Sequence, residues 1–173
     1  AVRRETQTIP IVMVGSNDPV GTGFVASLAR PGGNVTGLSR MSPELMGKRL
    51  ELLKEAVPAI TRVAVIWSPE GRGGVLDYNE TANAARRLRL HLQSVELSRA
   101  EDFDRAFAAI SKDGATALII PAGNPVLFAN RGRIASFALK NRLPSMFSQS
   151  DFTDAGGRAA NAGIRPGDVV VEV

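Results

Sequence analysis

Short unbroken apolar runs alternate along this chain with segments whose apolar residues recur every three or four positions. That is the pattern of buried strands joined by amphipathic helices. Residues 9–14 (I-P-I-V-M-V), 62–68 (R-V-A-V-I-W-S) and 115–121 (A-T-A-L-I-I-P) read as buried strands. Residues 91–97 alternate imperfectly through Leu92, Val95 and Leu97, and residues 144–148 make a further short strand. After the first run, a small polar loop and Pro19-Val20 lead into a predicted short helix over 21–29, stopped at Arg30-Pro31-Gly32-Gly33, and residues 34–37 become extended again. Ser42-Pro43-Glu44 combines a serine cap, a proline at the first helical position and an acid in the first turn. It opens a helix with Leu45, Met46, Leu50, Leu53, Ala56 and Val57 spaced for one face, ended by Pro58. A glycine-rich loop over 71–74 precedes Asp77-x-x-Glu80, which has the form of a capping box. Its helix turns Ala84, Ala85 and Leu88 inward and Arg86, Arg87 and Arg89 outward. Ser98-x-x-Glu101 is a second such box, followed by Phe103, Ala106, Phe107 and Ile110, with Gly114 as the stop. Asn124-Pro125 caps a helix that should run to about Asn141 with Ile134, Phe137 and Ala138 inward.

Strands and helices alternating at this spacing predict an α/β fold, a doubly wound and mostly parallel sheet. A length of 173 residues supports a sizeable core in one domain or a small pair. Hydrophobic content of 44% and charged content of 22% are ordinary for a globular protein. The net charge of +4 is mild, the arginines fall on predicted helix faces, and aromatics make up 5%, so nucleic acid is not an expected partner. The absence of cysteine excludes disulfides and thiolate-ligated metal. No apolar run is long enough to cross a bilayer, and residues 1–8 lack the apolar core of a signal peptide. A chain starting almost on a strand, and at Ala1 instead of a methionine, reads as a processed or excised piece.

The candidate chemistry lies where strands end. Ser16, Asn17 and Asp18 follow the first strand, Trp67 and Ser68 close the second, Gly123 and Asn124 follow the fourth, and Ser148 to Ser150 follow the short one. In an open parallel sheet these positions face the crevice beyond the carboxyl ends, where ligands bind. Hydroxyls, amides and one carboxylate suit hydrogen bonding to a small polar or zwitterionic solute. They are not a catalytic set: His91 is the one histidine and starts a strand, no nucleophile elbow is present, and no His, Asp and Glu spacing suits a metal. Gly21-x-Gly23-x-x-Ala26 has the form of a dinucleotide fingerprint, but it lies six residues after the strand with Asp18-Pro19 between, and no acid follows at the required distance. Asp18 reads more simply as a cap for the helix after it. Trp67 reads as core or crevice rim, with a stacking platform as the sharper alternative. Asn34 and Thr36 read most simply as turn and strand-start residues.

Thr8-Ile-Pro-Ile-Val-Met-Val-Gly15, Asp18-Pro-Val-Gly21, Ser27-Leu-Ala-Arg-Pro-Gly-Gly-Asn-Val-Thr-Gly37 and Gly47-Lys-Arg-Leu-Glu-Leu-Leu-Lys-Glu-Ala56 closely resemble the ABC-transporter substrate-binding proteins of the tryptophan/tyrosine-uptake type. The likeness continues through Arg62-Val-Ala-Val-Ile-Trp67, Ala117-Leu-Ile-Ile120, Arg142-Leu-Pro144 and Asp154-Ala-Gly-Gly157. The resemblance implies a periplasmic-binding-protein fold of type I, in which two α/β lobes close over a solute. It also implies no catalysis and no cofactor, a periplasmic or cell-surface-anchored protein, and delivery of the solute to a membrane permease with its ATPase. On that reading residues 1–38 are a partial first lobe, 39–143 the second lobe, 144–158 a return crossing to the first, and 159–173 an atypical tail. The solute, an aromatic amino acid among the family's cargoes, would meet Ser16, Asn17, Asp18, Thr36, Gly37, Trp67, Ser68, Asn124 and Ser148. The segment Ala162-Gly-Ile-Arg-Pro-Gly-Asp168 in the tail resembles part of a PDZ domain of HtrA-type proteases, and its simpler reading is a turn followed by one strand. Two other functions remain open: a ligand-sensing regulatory domain of the same fold, and a dinucleotide-dependent oxidoreductase.

Overall fold

The first apolar run forms β1 (Ile11–Ser16), paired in parallel with β2 (Val35–Ser39) in a two-stranded sheet. The computed structural model describes residues 5–16, 18–39, 42–70, 72–121, 124–149, 151–152 and 170–171. The chain divides into two units, Ala1–Ser42 and Pro43–Val173. Within the first unit Ile11 and Met13 are half-buried while Val12, Val14 and Leu38 are exposed. The expectation of a fully buried first strand is therefore corrected. With one hydrogen-bonded neighbour, only alternate side chains gain cover.

The predicted helix over 21–29 is also corrected: the segment is a succession of turns. Thr22 N–H bonds the Asp18 carbonyl at 3.0 Å and Gly23 N–H the Val20 carbonyl at 2.8 Å, and Gly23 then takes a φ of 72°. Farther on, the Ser27 hydroxyl accepts from Arg30 N–H at 3.0 Å. A serine that satisfies the backbone locally offers it an alternative to the helical ladder. The Asn34 amide donates to the Ile9 carbonyl at 2.7 Å, tying the start of β2 to the chain before β1.

The second unit contains α1 (Ser42–Ala56), β3 (Arg62–Trp67), α2 (Arg72–Arg87), β4 (His91–Glu96), a 3₁₀ turn (Ala100–Asp102), α3 (Phe103–Lys112), β5 (Ala117–Ile120), α4 (Pro125–Ala129), α5 (Arg131–Lys140), β6 (Ser145–Phe147) and β7 (Val170–Val171). Five strands form one sheet in the order β4-β3-β5-β6-β7, every neighbour parallel. The α/β class with parallel sheets follows directly. Of residues 144–158, expected to return to the first lobe, 145–147 form β6 of this sheet, with Ile119 opposite Met146, while 150 and 153–158 lie outside the described residues. From the tail, Val170 and Val171 add the outer strand beside Ser145 and Met146.

Period-2 alternation sends the two faces of this sheet into two cores. Val63, Val65, Trp67, Ala117, Ile119 and Met146 meet Met46, Leu50 and Leu53 of α1 and Ala84 and Ala85 of α2. Ala64, Ile66, Leu118, Ile120 and Phe147 meet Phe103, Ala106 and Ile110 of α3, Leu127 of α4 and Ile134 and Ala138 of α5. Coverage on both faces is why β3 and β5 read as continuous apolar runs.

Several helix details differ from the sequence expectations. Leu45 and Ala56 of α1 point to solvent, so its buried stripe is narrower. The helix expected to start near Asp77 begins at Arg72, and Asp77 is fully buried in its interior instead of capping it. The box at Ser98 is not formed: a 3₁₀ turn takes its place, and neither Arg99 nor Asp102 caps through its side chain. The helix after Asn124 is interrupted at Asn130, whose amide turns back to the Val126 carbonyl at 2.9 Å. Gly114, with a φ of 67°, does terminate α3.

Candidate functional site

Two adjacent strands of the second unit send their following helices to opposite faces. β3 leads to α2, whose Ala84 and Ala85 lie in one core, and β5 leads to α4, whose Leu127 lies in the other. The loops after β3 and β5 therefore diverge, the arrangement that in open parallel sheets places a ligand crevice at the carboxyl edge. Ser68 follows β3, Asn124 follows β5, and Ser148 follows β6, so the fold brings these three to one edge of one sheet.

Ser68 and Asn124 are held by their own loops, and Ser148 by the neighbouring strand. The Ser68 hydroxyl accepts from Glu70 N–H at 3.2 Å. The Ser148 hydroxyl donates to the carbonyl of Ile120, the last residue of β5, at 3.1 Å and lies 3.8 Å from the Met46 sulfur. The Asn124 carbonyl oxygen accepts from Val126 N–H at 2.8 Å and Leu127 N–H at 3.0 Å, the N-cap arrangement its sequence predicts. That cap uses Oδ1 and keeps the side-chain NH₂ out of the helix. Asn124→Ala is expected to lower stability by about 1 kcal/mol. Asn124→Asp, which keeps the acceptor, should stay near wild type. The urea midpoint at unchanged slope measures both.

The other sequence candidates fall elsewhere. Trp67 is the last residue of β3, directly before Ser68: it is 7% exposed, stacks on Tyr78 with ring centroids 4.3 Å apart, and donates its Nε1–H to the Ser94 hydroxyl at 2.9 Å. It belongs to the core, the simpler of its two sequence readings. In the first unit, Ser16 ends β1 opposite Ser39, and Asp18 follows it. The Asp18 carboxylate accepts from Gly21 N–H at 2.7 Å and closes a turn, as its capping role predicts, although no helix follows. Thr36 and Gly37 lie inside β2, where Thr36 is exposed and Gly37 passes close over β1. Asn17 and Gly123 lie outside the described residues. His91 is exposed at the start of β4.

Two charged residues at this edge escaped the sequence reading. Arg49 of α1 is 8% exposed, and its Nη1 meets the Met46 sulfur at 3.7 Å. Its Nε has no hydrogen-bond partner among the described residues. Burial pulls the guanidinium pKa below its usual value, and the charge of buried Asp77 opposes that shift. Contacts from Arg49 to Met46, Met46 to Ser148, and Ser148 to the end of β5 put the guanidinium at the carboxyl edge. The available signal was positional: Arg49 stands three residues from Met46, in the stripe that Leu50 and Leu53 continue. Asp77 likewise shares the buried face of α2 with Thr81, Ala84 and Ala85.

The comparisons with known proteins agree with this architecture. The family model described as ABC transporter substrate binding protein matches residues 1–172. The tyrosine-binding protein of Clostridioides difficile (strain R20291) is 25% identical over 179 residues, a match that takes in 100% of this chain and 51% of that protein. This chain thus spans about half the length of that curated relative. Among solved structures, an ABC domain from Streptococcus pneumonia in complex with L-Trp superposes with a TM-score of 0.76 at 20% identity, over 88% of this chain and 52% of the other. A conserved domain protein from Vibrio cholerae O1 biovar El Tor gives a TM-score of 0.78 at 23% identity, over 97% and 62%. At those identities the superpositions speak for the fold alone. The family match spans nearly all of the sequence, and the chain belongs to the ABC transporter substrate-binding protein family.

Proposed function

We propose that this chain is the solute-capturing part of an ABC uptake system, that its solute is an aromatic amino acid, and that the carboxyl edge of the second unit supplies one wall of the site. The convergence of Ser68, Asn124 and Ser148 beyond the ends of β3, β5 and β6 carries the reading, because that edge is where an open parallel sheet receives ligands. Fixed hydroxyls and an amide can replace water around the polar end of a small zwitterion, at no cost in reorganisation. Family membership favours binding over catalysis. The name of the C. difficile relative and the ligand of the S. pneumonia structure favour an aromatic amino acid. Delivery to a permease and its ATPase, outside the cytoplasmic membrane, follows as part of the same reading.

Titration of the 173-residue chain with L-tyrosine, L-tryptophan, L-leucine and a hexose, followed by calorimetry and amide NMR shifts, tests it. Saturable binding of an aromatic amino acid, with shifts at Ser68, Asn124 and Ser148, is the expected result. Binding of the hexose alone, or of none of the four, overturns the assignment.

A further inference from the structure

We infer that Arg49 receives the carboxylate of the solute, which narrows the cargo to compounds with a free carboxyl group. The inference rests on the solute-binding reading above. It starts from a mismatch between what a guanidinium requires and what surrounds this one. A guanidinium carries five N–H donors in a rigid fork whose geometry fits a carboxylate in two parallel bonds. An arginine on the surface would give these donors to water. Arg49 is 8% exposed. Nη1 reaches a thioether sulfur, a weak acceptor, at 3.7 Å, and Nε has no partner among the described residues. Buried polar groups are ordinarily satisfied, and an orphan in a native fold calls for an explanation such as a ligand.

Position supplies the second half of the argument. Arg49 meets Met46 Sδ, the same sulfur that the Ser148 hydroxyl approaches at 3.8 Å. Ser148 is also bonded to the last carbonyl of β5. The cation is therefore at the edge where parallel sheets bind ligands, on α1, which packs on the same face of the sheet as α2. A planar, weakly hydrated guanidinium is the side chain best suited to hold a carboxylate with water excluded. The charge of Asp77, buried on α2, acts against the cost of burying the guanidinium. That pair of opposite charges favours a zwitterion, whose ammonium brings a positive charge along with the carboxylate.

The test compares L-tyrosine with L-tyrosinamide, which keeps the ring and ammonium and loses the carboxylate. Wild-type chain should prefer the acid by about ten- to a hundredfold, the range of a charge-assisted hydrogen bond. Arg49→Lys should cut that preference by about tenfold, because a point charge replaces the fork. A merely structural arginine would weaken acid and amide alike and leave their ratio intact, which overturns the inference. In case the variant folds poorly, the Arg49 Nε–H resonance of wild-type chain is followed during both titrations. It should move with L-tyrosine and stay still with L-tyrosinamide. Tight binding of L-tyrosine with a static Nε–H signal rejects the role of Arg49 while solute binding stands. Failure of wild type to bind either compound rejects the solute reading itself, and the Arg49 inference with it.

Discussion

Replacing Trp67 with alanine is expected to cost about 3–5 kcal/mol of folding stability, the range for truncating a large aromatic side chain in a packed core. Trp67 ends β3, which lies between β4 and β5, and it is 7% exposed with its ring flat against Tyr78 at 4.3 Å and 11°. Around it the same core holds Met46, Leu50, Ala84 and Met146, so the cavity left by alanine would be walled by three separate elements besides β3 and could collapse only in part. The indole N–H is spent on Ser94 of the neighbouring strand β4. Trp67→Phe keeps the stack and loses that bond, and should cost less, with about 1 kcal/mol for the lost hydrogen bond. Urea unfolding followed by circular dichroism measures both. Against a typical domain stability of about 5–15 kcal/mol, the alanine variant would be partly unfolded at mild denaturant. Since Trp67 is the one tryptophan of the chain, its fluorescence gives an independent check. Native emission should be blue-shifted, and adding an amino acid should hardly change it. A strong ligand-dependent change would return Trp67 to the binding surface.

Trp67 also illustrates which parts of this molecule its sequence reveals. The runs 62–68 and 115–121 announce β3 and β5, because strands covered on both faces need apolar residues at every position. Asn124-Pro125 announces a helix start, because its side chain, its proline and the first turn are local and agree with one another. Signals that depend on distant partners misled. Asp77-x-x-Glu80 has the spacing of a capping box, yet the chain becomes helical at Arg72, and the same aspartate then falls on the buried face of α2. Residues 71–74 looked like a breaker, but a side chain on Gly74 would lie 2.4 Å from the Ser68 carbonyl. The glycine lets α2 begin close against the end of β3. At the candidate site, Ser68, Asn124 and Ser148 were legible from their places after strands. Arg49 was not: its charge suggested solvent, and only its helical phase beside Met46 and Leu50 pointed inward.

Gly37→Ala should disrupt the pairing of β1 with β2, by an amount comparable to losing a core side chain, although Gly37 touches no solute on this account. Its φ of 145° lies in a region that side-chain-bearing residues rarely adopt. A Cβ at this position would fall 2.0 Å from the Met13 carbonyl oxygen, which belongs to the backbone and cannot rotate away. Met13 is also the register partner of Gly37, so relief would require the two strands to separate where they are hydrogen-bonded. Backbone strain of about 1–3 kcal/mol and an overpacking cost of similar size act together here. Thr36→Ala is the matched control: Thr36 is the adjacent residue on the same strand, it is exposed, and its replacement should stay within about 0.5 kcal/mol of wild type. Hydrogen exchange separates the two variants. In Gly37→Ala, amides of residues 11–14 and 35–39 should lose protection relative to those of β3 and β5, whereas Thr36→Ala should keep the wild-type pattern. Such a result assigns the glycine to strand pairing and removes it from the solute contacts that the family resemblance suggested. Unchanged protection in Gly37→Ala, accompanied by weaker binding of an aromatic amino acid, would reverse that assignment.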